Sequence, residues 1–132
     1  AFRILRAKSL GKYKAFRKGL EQLAAEGVVQ ILKNEARGDA SPVMAAVGPM
    51  QFEVMQARME FEYNVETVTE PIPYSVARRT DAESAPELGR QRGVEIFTRQ
   101  DGELIALFGD KWKLAFIEKE HPELTMETLV AD

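Results

Sequence analysis

The chain has 132 residues, 45% of them hydrophobic and 30% charged, with 18 basic and 21 acidic side chains giving a net charge of −3. That is enough for one sizeable core and fits an ordinary globular unit. There is no cysteine, which excludes a disulfide framework and a thiolate zinc site and fits a cytoplasmic protein. No run approaches the roughly 18 apolar residues of a membrane span. No charged-then-apolar leader opens the chain, so no signal peptide is expected, and a first residue Ala1 rather than Met fits a piece of a longer chain.

Residues 2–6 read as a short strand. A helix is expected over 11–26, with Tyr13, Phe16, Leu20 and Leu23 at near-helical spacing and Gly27 at the position just past its end. Residues 28–32 (VVQIL) are β-branched and strand-like, 34–42 form a polar connection, and 43–47 (VMAAV) are a second apolar run. Gly48 allows a sharp turn, and Pro49 suits the first turn of a helix reaching Asn64. Met50, Val54, Ala57 and Phe61 fall on one face of that helix, and Phe52, Met55, Met59 and Tyr63 on the opposite one. A helix apolar on two sides is expected to be covered on two sides. Residues 65–69 then alternate as a strand, so that 2–69 reads βαββαβ, the order of a ferredoxin-like unit.

Glu70-Pro71-Ile72-Pro73 punctuates the chain. Residues 74–80 alternate, and Asp81 or Ser84 is placed to cap a short helix to about Arg92, with Ser84 and Glu87 spaced as a capping box. Residues 94–98 and 104–108 read as strands joined by a turn at Gln100-Asp101-Gly102. Asp110 caps a helix bearing Trp112, Phe116 and Ile117, which Pro122 ends, and 124–129 alternate once more. The second half is again βαββαβ. The fold class expected is α/β (α+β), two tandem ferredoxin-like layouts over about 1–70 and 71–132, packed as one unit with a shared buried interface.

The first twenty residues carry seven basic side chains (Arg3, Arg6, Lys8, Lys12, Lys14, Arg17, Lys18) and no acid. The plain reading is a solvated face; the sharper one is a patch that meets nucleic-acid phosphate. Catalytic chemistry is scarce. No phosphate-cradling loop is present, Gly109-Asp110-Lys111 lacks its spacing, and the one histidine, His121, sits at an expected helix end. Glu53, Glu60, Glu62 and Glu66 scatter in helical phase and read as surface acids, so no metal site is expected. Met50, Met55 and Met59 at helical spacing read as core more readily than as a binding stripe. Trp112 reads as a packing anchor. Of Arg78 and Arg79, neighbours in a strand, only one can reach a given surface.

Gly48-Pro49-Met50-Gln51-Phe52-Glu53-Val54, followed by Ala57-Arg58 and Glu62-Tyr63-Asn64-Val65-Glu66, resembles the post-barrel, C-terminal domain of the translational GTPases. In elongation factor G the motif has His and Leu where Gln51 and Phe52 stand; the Gln-Phe form is similar to the bacterial peptide chain release factor 3 family. Lys18-Gly19-Leu20-Glu21-Gln22-Leu23 and Glu26-Gly27-Val28-Val29-Gln30 match the same pattern upstream. From Tyr74 onward the resemblance is one of layout.

The resemblance implies a non-catalytic domain of a longer, cytoplasmic protein whose GTPase and β-barrel domains precede it. GTP and Mg would belong to that missing GTPase domain and no cofactor to this stretch. It implies docking on the ribosome, through ribosomal RNA and a small-subunit protein, in translation termination and recycling of class I release factors. Its other partners would be the upstream domains of its own chain, with no membrane and a monomeric state. Candidate contacts are Lys8, Lys12, Lys14, Arg17 and Lys18, then Gln51 at the start of the central helix, and Arg78. Two other readings stay open: a regulatory module binding a small effector between tandem ferredoxin-like units, and the matching domain of another translational GTPase.

Overall fold

Strand β1 (Phe2–Ala7) opens a first unit, Ala1–Ile72, in a computed structural model that describes residues 1–129. A single turn of tight helix at Leu10–Lys12 leads into α1 (Tyr13–Ala25). Gly27, at φ 81°, supplies the left-handed residue that ends α1. The chain then forms β2 (Gln30–Lys33), β3 (Val43–Ala45), α2 (Pro49–Tyr63) and β4 (Thr67–Pro71). The strand order β4-β1-β3-β2, antiparallel throughout, is that of a ferredoxin-like sheet. Asn64 ends α2 in the left-handed conformation (φ 56°), and its N–H reaches back to the Glu60 carbonyl at 3.1 Å.

One face of this sheet carries Leu5, Ile31 and Met44, and both helices cover it with Phe16, Leu20 and Leu23 from α1 and Phe52, Met55 and Met59 from α2. Leu23, Met44, Met55 and Met59 are fully enclosed. The two helices touch at Gly19, where an added Cβ would lie 2.7 Å from the Met59 sulfur and 2.8 Å from the Tyr63 ring. Pro71 ends β4, a strand hydrogen-bonded only to β1 within its unit, a position where its missing N–H is tolerated.

The second unit, Pro73–Asp132, repeats the layout with β5 (Val76–Thr80), α3 (Ala85–Arg90), β6 (Val94–Arg99), β7 (Leu104–Phe108), α4 (Lys111–Glu120) and β8 (Glu127–Thr128). Its strands run β6-β7-β5-β8, the same ferredoxin-like order, and all three pairings are antiparallel. Leu88, Leu114 and Ile117 from the helices pack on Val94, Ala106 and Phe108. The β6–β7 turn closes as expected, with Gly102 at φ 87° and the Asp101 carboxylate accepting from Arg99 and from the Glu103 N–H. Asp110 caps α4 by accepting from the Lys113 N–H at 2.8 Å.

Several expectations need correction. Val28 and Val29 precede β2 rather than belonging to it: the Val28 N–H is taken by the Leu23 carbonyl, still in the helix exit, while Val29 fills the core. The Ser84–Glu87 capping box does not form. The Ser84 hydroxyl instead accepts from the Thr125 N–H at 2.9 Å, the Glu87 carboxylate is turned to Arg90 and Gln91, and the Asp81 carboxylate takes the Ser84 N–H at 2.7 Å. Only two residues of the 124–129 run join a ladder. Trp112 is no packing anchor: it stands 75% exposed on the outer side of α4, because Leu114 and Ile117, not Trp112, point at the sheet. The helix α2 is not covered on two sides either. Phe52, Met55 and Met59 are buried, but Met50, Val54 and Phe61 remain exposed, half a turn away from the sheet.

Candidate functional site

The segregation of positive charge in the sequence does not survive folding intact. Because β4 lies beside β1, Glu70 within it and Glu66 just before it come to the basic N-terminal stretch. Arg6 donates to Glu70 from Nε and Nη2 at 3.1 and 2.7 Å, and Lys8 Nζ lies 3.5 Å from a Glu66 carboxylate oxygen. Lys8 also lines a hollow of about 360 Å³ with Glu53, Glu60 and Glu66, so the local field around it is acidic. Arg17 faces Glu21 one turn along α1, at 3.5 Å. Lys12, Lys14 and Lys18 are exposed and, among the described residues, have no acid at ion-pair distance. Lys14 and Lys18 share one face of α1, and Lys12 sits at the foot of the same helix. The candidate cations thus fall into a bare set (Lys12, Lys14, Lys18) and an answered set (Lys8, Arg17).

Gln51 and Arg78 stand apart from that cluster. The Gln51 side-chain oxygen accepts from the Gly48 N–H at 3.1 Å, the reach-back half of a capping box whose other half a glycine cannot supply. This residue therefore holds the start of α2. Arg78 is half-buried in β5, between β7 and β8, and donates to the Ala77 carbonyl at 2.8 Å. Arg79, on the opposite face of the strand, is the one paired with an acid, Glu127, at 2.7 Å.

A third arrangement was visible in sequence only in part. Arg58 donates to Glu26 from both Nη atoms, at 2.6 and 3.2 Å, and to Glu62 from Nη2 at 3.0 Å and from Nε. The i,i+4 spacing of Arg58 and Glu62 announces one arm. The other crosses from α2 to the end of α1 and needed the fold. Hydrogen bonds from Arg58 and then Gln22 hold the Glu26 carboxyl at about 2, below its ordinary 4.5. A depressed folded-state value means the contribution is present in full above about 4.5 and fades as pH falls toward about 2. The urea midpoints of the wild type and Glu26→Gln should accordingly differ at pH 7, with the gap narrowing below about pH 4.5 and closing only near pH 2; a gap that stays constant would rule out this linkage.

Among the described residues no group of three His, Asp or Glu side chains could hold a metal ion. Nor is any helix among them long and apolar enough to cross a membrane. His121 ends α4, with Nδ1 3.7 Å from the Glu123 carboxylate.

Against known proteins, the family model described as the C-terminal domain of class II release factor RF3 matches residues 1–118. The chain belongs to that family. The peptide chain release factor 3 of Synechococcus elongatus is 39% identical over 130 residues, covering 97% of this chain and 23% of the relative. That of Trichodesmium erythraeum is 39% identical over 127 residues, with 95% and 23% covered. That of Symbiobacterium thermophilum is 38% identical over 125 residues, with 93% and 24% covered. The chain therefore spans about a quarter of the length of these curated relatives. Family membership agrees with the Gln51-Phe52 form of the central motif, and within the family fold Gln51 has the capping role described above.

Proposed function

We propose that this chain is a non-catalytic C-terminal domain of a release-factor-3-type translational GTPase and acts in translation termination by docking on the ribosome. In this reading GTP and Mg belong to the upstream domains of the longer cytoplasmic protein. This domain supplies contacts to ribosomal RNA and to a small-subunit protein, and assists the recycling of class I release factors. The observation that carries the reading is the family match over 1–118. The bare lysines at the start of and along α1 give it a surface: Lys12, Lys14 and Lys18 are exposed and, among the described residues, unanswered, as a phosphate-binding face requires. Lys8 and Arg17 contribute less, because each has an acid beside it.

Co-sedimentation of the tagged chain with purified bacterial ribosomes at low and moderate salt tests this. Each phosphate contact adds about 0.7–0.9 to the slope of log affinity against log salt. The triple substitution Lys12→Gln, Lys14→Gln, Lys18→Gln should therefore lower that slope by about 2 and weaken binding at low salt, whereas Lys8→Gln alone should change it little. A triple variant that binds as the wild type does at every salt would remove α1 as the docking face.

A further inference from the structure

The outer face of α2 carries a continuous apolar row that none of the described residues covers. Met50 is 69% exposed, Val54 44% and Phe61 93%; exposed Ala57 fills the row between them, and Val47, just before the helix, is 81% exposed. From Met50 to Phe61 the row runs eleven residues, about 16 Å at the helical rise. Beside its first half lies a hollow of about 430 Å³ lined by Glu26, Gly27, Val28, Met50, Gln51 and Val54. An apolar row with an adjoining hollow is the shape into which an amphipathic segment lays its side chains.

The rim says which kind of segment. Helical phase puts Glu53 and Glu60 on one flank of the row and Arg58 and Glu62 on the other. Arg58 is already held by Glu26 and Glu62, so its charge is spent inside the rim. Lys8 shares the hollow of Glu53 and Glu60 with a third acid, Glu66, so the rim stays acidic with five carboxylates against one guanidinium and one ammonium, repelling phosphate and attracting cations. We infer that the outer face of α2 docks a basic amphipathic protein segment, with apolar side chains on the Met50–Phe61 row and lysines or arginines meeting Glu53 and Glu60. This surface is separate from the α1 lysines and opposite in charge, and the inference does not depend on the ribosome reading.

The test uses three fluorescent probes titrated by anisotropy: an amphipathic peptide of about five turns with a leucine row flanked by lysines, the same peptide flanked by glutamates, and a uridine oligonucleotide. The lysine-flanked peptide should bind, more weakly at high salt, and the glutamate-flanked one should not; the oligonucleotide, which the lysines of α1 would take, should bind Phe61→Ser as it binds the wild type. Phe61→Ser and the pair Glu53→Lys, Glu60→Lys should each weaken it by about tenfold, since these exposed side chains are not part of the core. Trp112→Ser, on the other unit, should leave it unchanged. Failure of the lysine-flanked peptide to bind, equal binding of the glutamate-flanked one, loss of oligonucleotide binding in Phe61→Ser, or equal loss of the peptide in Trp112→Ser would overturn the proposal. So would a concentration-dependent dimer abolished by Phe61→Ser, which would assign the face to a second copy.

Discussion

Gly19→Val should cost the first unit about 3 kcal/mol, read as a drop in urea midpoint by far-ultraviolet circular dichroism. The reason lies at the crossing of α1 and α2. Any Cβ at this position meets the Met59 sulfur at 2.7 Å and two Tyr63 ring carbons at 2.8 Å, distances at which something must move. Met59 is fully enclosed, and the ring atoms met are at the root of the Tyr63 side chain rather than its tip, so neither neighbour has easy room. Gly19→Ala is the informative companion. Removing a helix-interior glycine gains about 0.5–1 kcal/mol of backbone entropy, which offsets part of the clash, so alanine should still destabilise but by about 1 kcal/mol. If alanine stabilises the protein, the helices are free to part and the close approach is not structural. A Tyr63→Ala background should absorb much of the penalty, since sites in contact are not additive.

Met55→Ala should cost about 3 kcal/mol, against less than about 0.5 kcal/mol for Met50→Ala. Met55 is fully enclosed among Phe16, Leu20 and the strand face of Leu5 and Met44, and its loss leaves a hole in a packed core. Met50 is 69% exposed, so its loss removes little. Trp112, on the outside of α4, would be an insensitive probe for either substitution, which favours circular dichroism over tryptophan fluorescence. Equal costs at the two positions would contradict the one-sided burial of α2 and, with it, the free row proposed as a docking face.

Much of the architecture was legible in the sequence because local chemistry and tertiary order agree. Gly27, Asn64, Gly102 and Asp110 end or begin elements where turn and cap preferences say they should. Periodicity correctly found both faces of α2 but could not say which was buried, since 3.6-residue spacing reports amphipathicity and not the presence of a neighbour. The same limit produced the error at Trp112, where size and aromaticity suggested an anchor that Leu114 and Ile117 supply instead. The capping box at Ser84 failed for a different reason. Thr125, forty-one positions away, captured the hydroxyl, and no local rule anticipates that competitor. The candidate basic patch was half legible. The lysines were visible, but the acids that answer Arg6 and Lys8 arrive from β4 (Glu70) and from the residue just before it (Glu66), and only the strand order reveals them.

The ends of the two sheets carry a consequence for handling the protein. A strand with one free side is a template for another chain, and long flat ones seed aggregation. Here β4 ends on Pro71, which has no N–H to offer an incoming strand, and its Glu70 is tied to Arg6. Among the described residues β8 pairs through two, Glu127 and Thr128. Neither of these two edges offers an incomer a long uninterrupted ladder, so strand-to-strand association between copies should not start at β4 or at β8.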